Sequence, residues 1–229
     1  MTLTLPLNLS ESAFFVATGY IDGSRPFWWD RISFIVRGSP LSHISLSYPE
    51  AREVDCRPDP EPAIRLLLAI VKSSFDLDVE RFLDELATAA EVSEHAELDA
   101  RHLLMSWDDV RRLRDAGMEI QSHTRSHRVL STLRAAELDA ELGGSREDLA
   151  RELGSPPCAI SYPVGQPIGD RPELVAAVRS AGYSVGFSTG VSWQERRVNP
   201  LDMGRAMLDR GLSDAQFRAL LVHPSFAST

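Results

Sequence analysis

Apolar residues follow two rhythms along this chain, one of contiguous β-prone runs and one of helical spacing. The run Ala13-Phe-Phe-Val-Ala-Thr18, closed by Gly19 and Asp22-Gly23, predicts a buried strand followed by a turn. From about Arg25 to Pro60 no period is sustained. The pair Trp28-Trp29, several prolines and the short β-prone runs Ile32 to Val36 and His43 to Tyr48 predict an irregular insertion. Two helices follow. Glu61 to Ser73 sets Ile64, Leu67, Leu68 and Val71 on one face, and Asp78 to Val92 does the same with Phe82, Leu83, Leu86 and Ala89. Ser93 to about Arg101 turns to Ala, Glu, Ser and His and reads as a connector.

Beyond the connector the pattern tightens. Ser106-Trp-Asp-Asp109 reads as an N-cap with acids in the first turn, opening a helix through Val110 and Leu113 that stops at Gly117. A short strand, Met118 to Gln121, comes next. A helical stretch from about Ser131 to Gly154 is expected to break near Gly143-Gly144. The strand Ala159 to Tyr162, the helix Arg171 to Ala181 and the strand Tyr183 to Phe187 complete the series. Helices alternating with strands predict an α/β fold of parallel strands joined by crossover helices, with functional residues at the carboxyl ends of the strands.

Composition narrows the function classes. Of 229 residues, 43% are hydrophobic and 25% charged, as in an ordinary globular protein rather than a disordered or fibrous one. The net charge of -9 disfavours nucleic acid and anionic membranes as partners. Cys56 and Cys158 are too few for a disulfide framework or a Cys-rich zinc module. The longest apolar stretch, Leu66 to Val71, is far short of the roughly 18 residues a transmembrane segment needs. The first cation is Arg25, so no signal peptide is read at the start, and the expectation is a cytoplasmic protein. Lys72 is the only lysine among 24 cations, a bias that suggests a GC-rich bacterial genome.

The strongest chemical signal is Ser122-His-Thr-Arg-Ser-His127, just after a predicted strand. If it lies on one turn of helix, the His-x-x-x-His spacing turns both imidazoles to one side, and neutral imidazole suits Zn, Co, Ni or Fe. Two ligands without a third do not define a zinc site, so surface histidines at chance spacing stand as the competing reading. A second signal, Ser161-Tyr-Pro-Val-Gly165, ends the next strand in a tight loop whose backbone N–H groups could face an oxyanion; an ordinary strand-to-helix turn competes with it. The chain contains no phosphate-binding Gly-rich loop, no His-Glu-x-x-His and no Gly-x-Ser-x-Gly, so nucleotide hydrolysis, zincin proteolysis and the α/β-hydrolase mechanism lose their usual support.

Taken in order, Phe14-Phe-Val-Ala-Thr-Gly-Tyr-Ile-Asp-Gly23, Phe27-Trp-Trp-Asp-Arg31, Ser106-Trp-Asp-Asp-Val-Arg-Arg-Leu113, Gly117-Met-Glu-Ile-Gln-Ser-His-Thr-Arg-Ser-His127, Tyr162-Pro-Val-Gly165 and Ala181-Gly-Tyr183 resemble the polysaccharide deacetylases, the NodB-homology carbohydrate esterases. The likeness runs from Phe14 to about Arg205, and the Phe-Trp-Trp-Asp phrase with the long helical insert is more like the bacterial exopolysaccharide-associated branch. The resemblance implies a distorted (β/α) barrel as one domain over residues 1–229, with about 25–105 as an insert within it. It implies metal-dependent removal of an N- or O-acetyl group from an acetylated carbohydrate. His123 and His127 would hold a divalent metal, Zn with Co or Ni as alternatives. Tyr162, Pro163 and Gly165 would wall the substrate groove, and the backbone N–H of Val164 would stabilise the oxyanion. Val164 stands where the family has an aromatic residue, and Ser161 where an Arg is common.

The family's Thr-Phe-Asp-Asp motif, source of the general base and the third metal ligand, is not found. The only acid before Ala13 is Glu11, and the first Asp is Asp22. The resemblance therefore implies a barrel missing its first strand and helix, with a sheet edge that dimerisation would cover. Three readings stay open: a deacetylase whose third ligand is Asp22, Asp30 or a residue of a partner chain; a glycan-binding protein that keeps the groove without the chemistry; and an N-terminally truncated fragment. Leu220-Leu-Val-His223 is a faint echo of the family's late catalytic His motif. Arg205 is weighed as a site residue against a surface ion pair, and Trp28 and Trp29 as a sugar-stacking face against plain packing.

Overall fold

A computed structural model describes residues 12–23, 26–93, 104–189, 199–206, 208 and 211–222. In chain order the elements are β1 (Ala13–Val16), α1 (Trp28–Gly38), β2 (His43–Leu46), β3 (Arg52–Asp55), α2 (Glu61–Ser73), α3 (Val79–Ala89), α4 (Trp107–Asp115), β4 (Glu119–Ser122), α5 (Ala135–Leu153), β5 (Ala159–Ser161), α6 (Pro172–Ser180), β6 (Val185–Ser188), β7 (Met203–Gly204) and α7 (Asp214–Val222). They fall into two compact units. One comprises Met1–Gly19, Asp108–Leu130 and Ala135–Thr229, the other Tyr20–Trp107 with Ser131–Arg134.

The first unit is built on a parallel sheet in the order β1-β4-β5-β6-β7. Helices α5 and α6 carry the chain from β4 to β5 and from β5 to β6, the crossover that parallel pairing requires. This is the α/β arrangement the alternation of patterns predicts, and it gathers the segments that follow β4, β5 and β6 at one end of the sheet. Among the described residues β1 and β7 each pair on one side only. The two-residue β7 was not foreseen, being too short to show a period.

One expectation for this unit fails: α5 runs unbroken through Gly143-Gly144. Each glycine costs a helix roughly 1 kcal/mol relative to Ala, and Gly144 leaves room for a neighbour, since a Cβ there would sit 2.6 Å from an Nη atom of Arg125 and displace that guanidinium.

The second unit has its own core. Trp28, Ile32, Ile35 and Val36 of α1 pack with Ile44, Val54, Leu67, Phe82, Leu83 and Leu86, all buried. The antiparallel pair β2–β3 registers Ile44 against Val54. Helices α2 and α3 fall where the apolar spacing predicts, and Asp78 caps α3 by accepting the Arg81 N–H at 3.0 Å. Ile32 to Val36, however, is helix rather than strand. The buried positions at 28, 32, 35 and 36 form a helical stripe, and their burial overrides the modest β preference of Ile and Val. Where this unit is entered and left, Asp22 ties the two segments together: its N–H donates to Met105 O and its carboxylate accepts the Trp107 N–H, both at 3.2 Å. Among the described residues no helix is long and apolar enough to cross a membrane.

Candidate functional site

His123 directly follows β4. Its backbone N–H donates to Val16 O at 2.9 Å, extending the β1–β4 pairing by one residue. The segment beyond it is a loop, which corrects the expectation of one helical turn: Thr124 and His127 have φ of 66° and 57°, in the left-handed region. The two imidazoles are adjacent all the same, with ring centroids 4.6 Å apart and planes at 82°. His123 Nδ1 lies 2.6 Å from Ser161 O. A neutral ring donating its Nδ1–H to that carbonyl keeps its Nε2 lone pair free as a ligand, the arrangement usual behind metal-bound histidine. Burial lowers the His123 pKa below its ordinary value, the Ser161 bond opposes that, and the positive charge of Arg205 lowers it further. The group is held toward its neutral, ligand-competent form.

The loop is fastened from several sides. The N–H of Thr124 donates to Ser122 Oγ at 3.1 Å and that of His127 to Thr124 Oγ1 at 3.1 Å. Thr124 O and Arg125 O accept from the N–H groups of Thr18 and Gly19 at 3.1 and 2.8 Å. From α5, Glu141 accepts the N–H groups of Arg125 and Ser126 at 3.0 and 2.8 Å, together with the Ser126 hydroxyl. Asp148 accepts two bonds of 2.9 Å from the Arg125 guanidinium, one of 2.8 Å from Thr18 Oγ1 and one of 3.1 Å from Arg151. Burial pushes the Asp148 carboxyl up, but its bonds to Arg125, Thr18 and Arg151 outweigh that and hold it below the usual carboxylate value.

After β5 the chain makes a single turn at Pro163–Gly165. Tyr162 is buried, its hydroxyl donating to Leu201 O, and burial holds its pKa well above that of an ordinary phenol. Pro163 and Gly165 are buried as well. Val164 alone is presented outward, 42% exposed, with φ 51° and ψ 11°, a left-handed conformation that a β-branched residue adopts only under constraint. The turn's own hydrogen bonds run from Gly165 N–H to Tyr162 O and from Gln166 N–H to Pro163 O, and the Val164 N–H takes no part in them. Gly165, at φ 68°, accepts the Thr189 N–H at 2.8 Å, and a Cβ on it would lie 2.0 Å from Thr189 Oγ1. The turn is thereby pinned to the end of β6.

Two imidazoles are borderline nitrogen donors and fit the first two positions of a Zn, Co or Ni ion. Among the described residues no group of three or more His, Cys, Asp or Glu side chains is assembled, so they supply a pair and not a full set. Of the acids weighed from the sequence, Asp22 is engaged with Trp107, Asp30 lies in the first turn of α1, where burial raises its pKa, and Glu11 lies outside the described residues. His223 also lies outside them. Arg205, whose N–H donates to Ser188 O at 3.1 Å, stands near enough to influence His123 electrostatically, and burial lowers its own pKa. Trp28 is core, while Trp29 stacks on Phe27 at 4.3 Å.

Sequence reading passed over Glu141 and Asp148. A signal for them exists in α5: Leu138, Leu142, Ser145 and Leu149 form its buried stripe, and the two acids, seven residues apart, fall on its buried side. Carboxylates on an inward face mark a partner waiting there.

Residues 83–186 match the family model of the polysaccharide deacetylases, a span that contains both histidines and the Tyr162–Gly165 turn. No curated protein matches the chain. Among solved structures, a polysaccharide deacetylase from Bacillus cereus is 25% identical over 51% of this chain and 36% of its own, with a TM-score of 0.43. A Streptococcus pyogenes deacetylase in complex with acetate is 18% identical over 54% and 51%, at 0.45. A de-N-acetylase from Aggregatibacter actinomycetemcomitans is 16% identical over 90% and 95%, at 0.42. The chain thus spans about a third to a half of the first two.

Proposed function

We propose that this chain, matched to the polysaccharide deacetylases over residues 83–186, hydrolyses an acetyl group from an acetylated sugar or polysaccharide with the help of a divalent metal held by His123 and His127. The observation that carries this reading is the pair itself: two adjacent imidazoles at the carboxyl end of β4, one fixed through Nδ1 by the carbonyl of Ser161 at the carboxyl end of β5. A Zn ion, or Co or Ni in its place, would supply a Lewis acid there. Everything else in the proposal belongs to the chain. The Ser161 carbonyl fixes the tautomer and aim of His123. The Val164 N–H, left over by its turn, is the donor for the oxyanion that forms as the acyl carbon becomes tetrahedral. Pro163 and Gly165 shape the groove wall around it, with Tyr162 anchoring that wall from the core. Hydrolysis of an N-acetyl group returns acetate and a free amine, and that of an O-acetyl group acetate and an alcohol.

A second reading, glycan binding without turnover, draws on the donor set, which among the described residues stops at two. One experiment separates the readings. The purified chain is incubated with acetylated chito-oligosaccharides and Zn, Co or Ni, and acetate is measured beside a His123→Ala/His127→Ala variant. Release that disappears in the variant is expected. No release at all, with glycan binding that survives the double replacement, would establish the second reading.

A further inference from the structure

The structure assigns Glu141 and Asp148 of α5 as positioning residues that hold the His123–His127 loop in the geometry that pairs its imidazoles, an inference that rests on the proposed role of those histidines. The loop's own ties are short-range, from the Thr124 N–H to Ser122 Oγ and from the His127 N–H to Thr124 Oγ1. It lacks helical hydrogen bonds and places two non-glycine residues, Thr124 and His127, at positive φ. Such conformations persist only where the surroundings over-determine them. Here the surroundings are two carboxylates on one helix, 8% and 7% exposed, spaced seven residues and therefore roughly 10 Å along the axis.

Their tasks differ. Glu141 takes both backbone N–H groups at the middle of the loop and the Ser126 hydroxyl, so it fixes the path of the main chain between the histidines. Asp148 takes the Arg125 side chain bidentately, with Thr18 on its other side, and thereby ties the loop to the segment leaving β1. Arg125 is engaged by both acids, its main chain by one and its guanidinium by the other. The missing side chain of Gly144 leaves the space in which that guanidinium lies. In this pair the Asp148 side chain is 10% exposed and that of Arg125 41%, so solvent screening limits what it adds to stability. It is an effective way of fixing a geometry, since Arg125 cannot leave without stripping the largely buried Asp148 carboxylate of two of its hydrogen bonds.

The test reads the imidazole pair without asking for catalysis. Copper(II) prefers nitrogen donors above the other divalent first-row ions, and its paramagnetic resonance spectrum reports bound nitrogens. Spectra and affinities for Cu²⁺ are recorded on the full chain, with the signal of the His123→Ala/His127→Ala variant subtracted to remove the remaining histidines. The wild type is expected to show a two-nitrogen spectrum. Glu141→Ala should weaken binding roughly ten-fold or more and lose that spectrum. Glu141→Gln, whose amide oxygen still accepts the two N–H groups, should restore most of it. Asp148→Asn, which keeps its acceptor for Thr18 and Arg125 Nε but loses the bonds from Arg125 Nη2 and Arg151, should fall between and gives a readable variant should Glu141→Ala not fold. Wild-type spectra and affinities in both Glu141→Ala and Asp148→Asn overturn the assignment, as does a wild type without the two-nitrogen spectrum. A Glu141→Gln variant as impaired as Glu141→Ala overturns it too. Failure to release acetate would sink the deacetylase reading alone and leave this comparison intact.

Discussion

Val164 carries its strain in the open. A β-branched residue in the left-handed region costs about 1–3 kcal/mol, and with its side chain 42% exposed it recovers little of that by packing. Val164→Gly should therefore raise stability by roughly 1 kcal/mol, after the loss from a freer unfolded chain, while leaving the backbone N–H in place. Urea denaturation midpoints of the two proteins check this, and a variant clearly less stable than wild type would show that the Val164 side chain is held by contacts after all. The sequence displayed Tyr162-Pro-Val-Gly165 as a turn because Pro and Gly announce one. The sign of φ at Val164 was not legible, since it is imposed from a distance by the bond between Gly165 and Thr189 at the end of β6. The histidines were legible as a pair but not as a loop, for the same reason. What bends that segment is Glu141, nearly twenty residues away from His123.

Among the elements, α5 shows most directly how function is written into a helix. Its paired glycines look alike in the sequence and have opposite meanings in space. A Cβ at Gly143 would meet only Asp139, at 3.4 Å, whereas one at Gly144 would meet the Arg125 guanidinium at 2.6 Å. Gly143→Ala should thus stabilise the chain by up to about 1 kcal/mol through helix propensity. Gly144→Ala should gain less and should speed amide hydrogen exchange at Arg125 and Ser126, because it pushes the guanidinium off Asp148. Equal exchange at those amides in both variants would contradict this account. Helices with a clear apolar stripe were read from the sequence, α2 to the residue and α3 to within one residue at its start and three at its end. Helix α1 was not, since Ile and Val at its buried positions imitate a strand until their 28, 32, 35, 36 spacing is seen against a core.

At the scale of the whole molecule, pH acts through groups buried in the sheet unit. Burial raises the pKa values of Tyr162 and Tyr183 above the usual phenol value; the Tyr183 hydroxyl donates to Leu142 O. The unfolded chain releases these protons near pH 10 and the folded one retains them, so stability should decline as pH rises above about 10. Denaturation midpoints across that range, followed with phenolate absorbance, should show these two tyrosines ionising only on unfolding. Tyr162→Phe should flatten part of the decline, and an unchanged slope would mean that other groups dominate it. The overall α/β class was legible because alternation of helix and strand is a property of the chain's own rhythm. The order of the sheet was not, since it depends on which distant segments meet.

The hydrogen bonds of Asp22 at the mouth of the second unit bear on how the sheet is assembled. Strand β1 must find β4 across about 100 residues of intervening chain, and closing a flexible loop of that length is about 2 kcal/mol costlier than closing one of ten. The intervening unit has its own hydrophobic core, and its first and last segments are bonded to each other through Asp22, Met105 and Trp107. Once it has folded, its ends meet, and the search that brings β1 to β4 shrinks to that of a short connection. As the ribosome releases the chain from its beginning, residues 20–107 of this unit emerge before β4, and Ser131–Arg134 follow after it. The long interruption between the two strands then costs the sheet that carries the histidines little more than a short tether would.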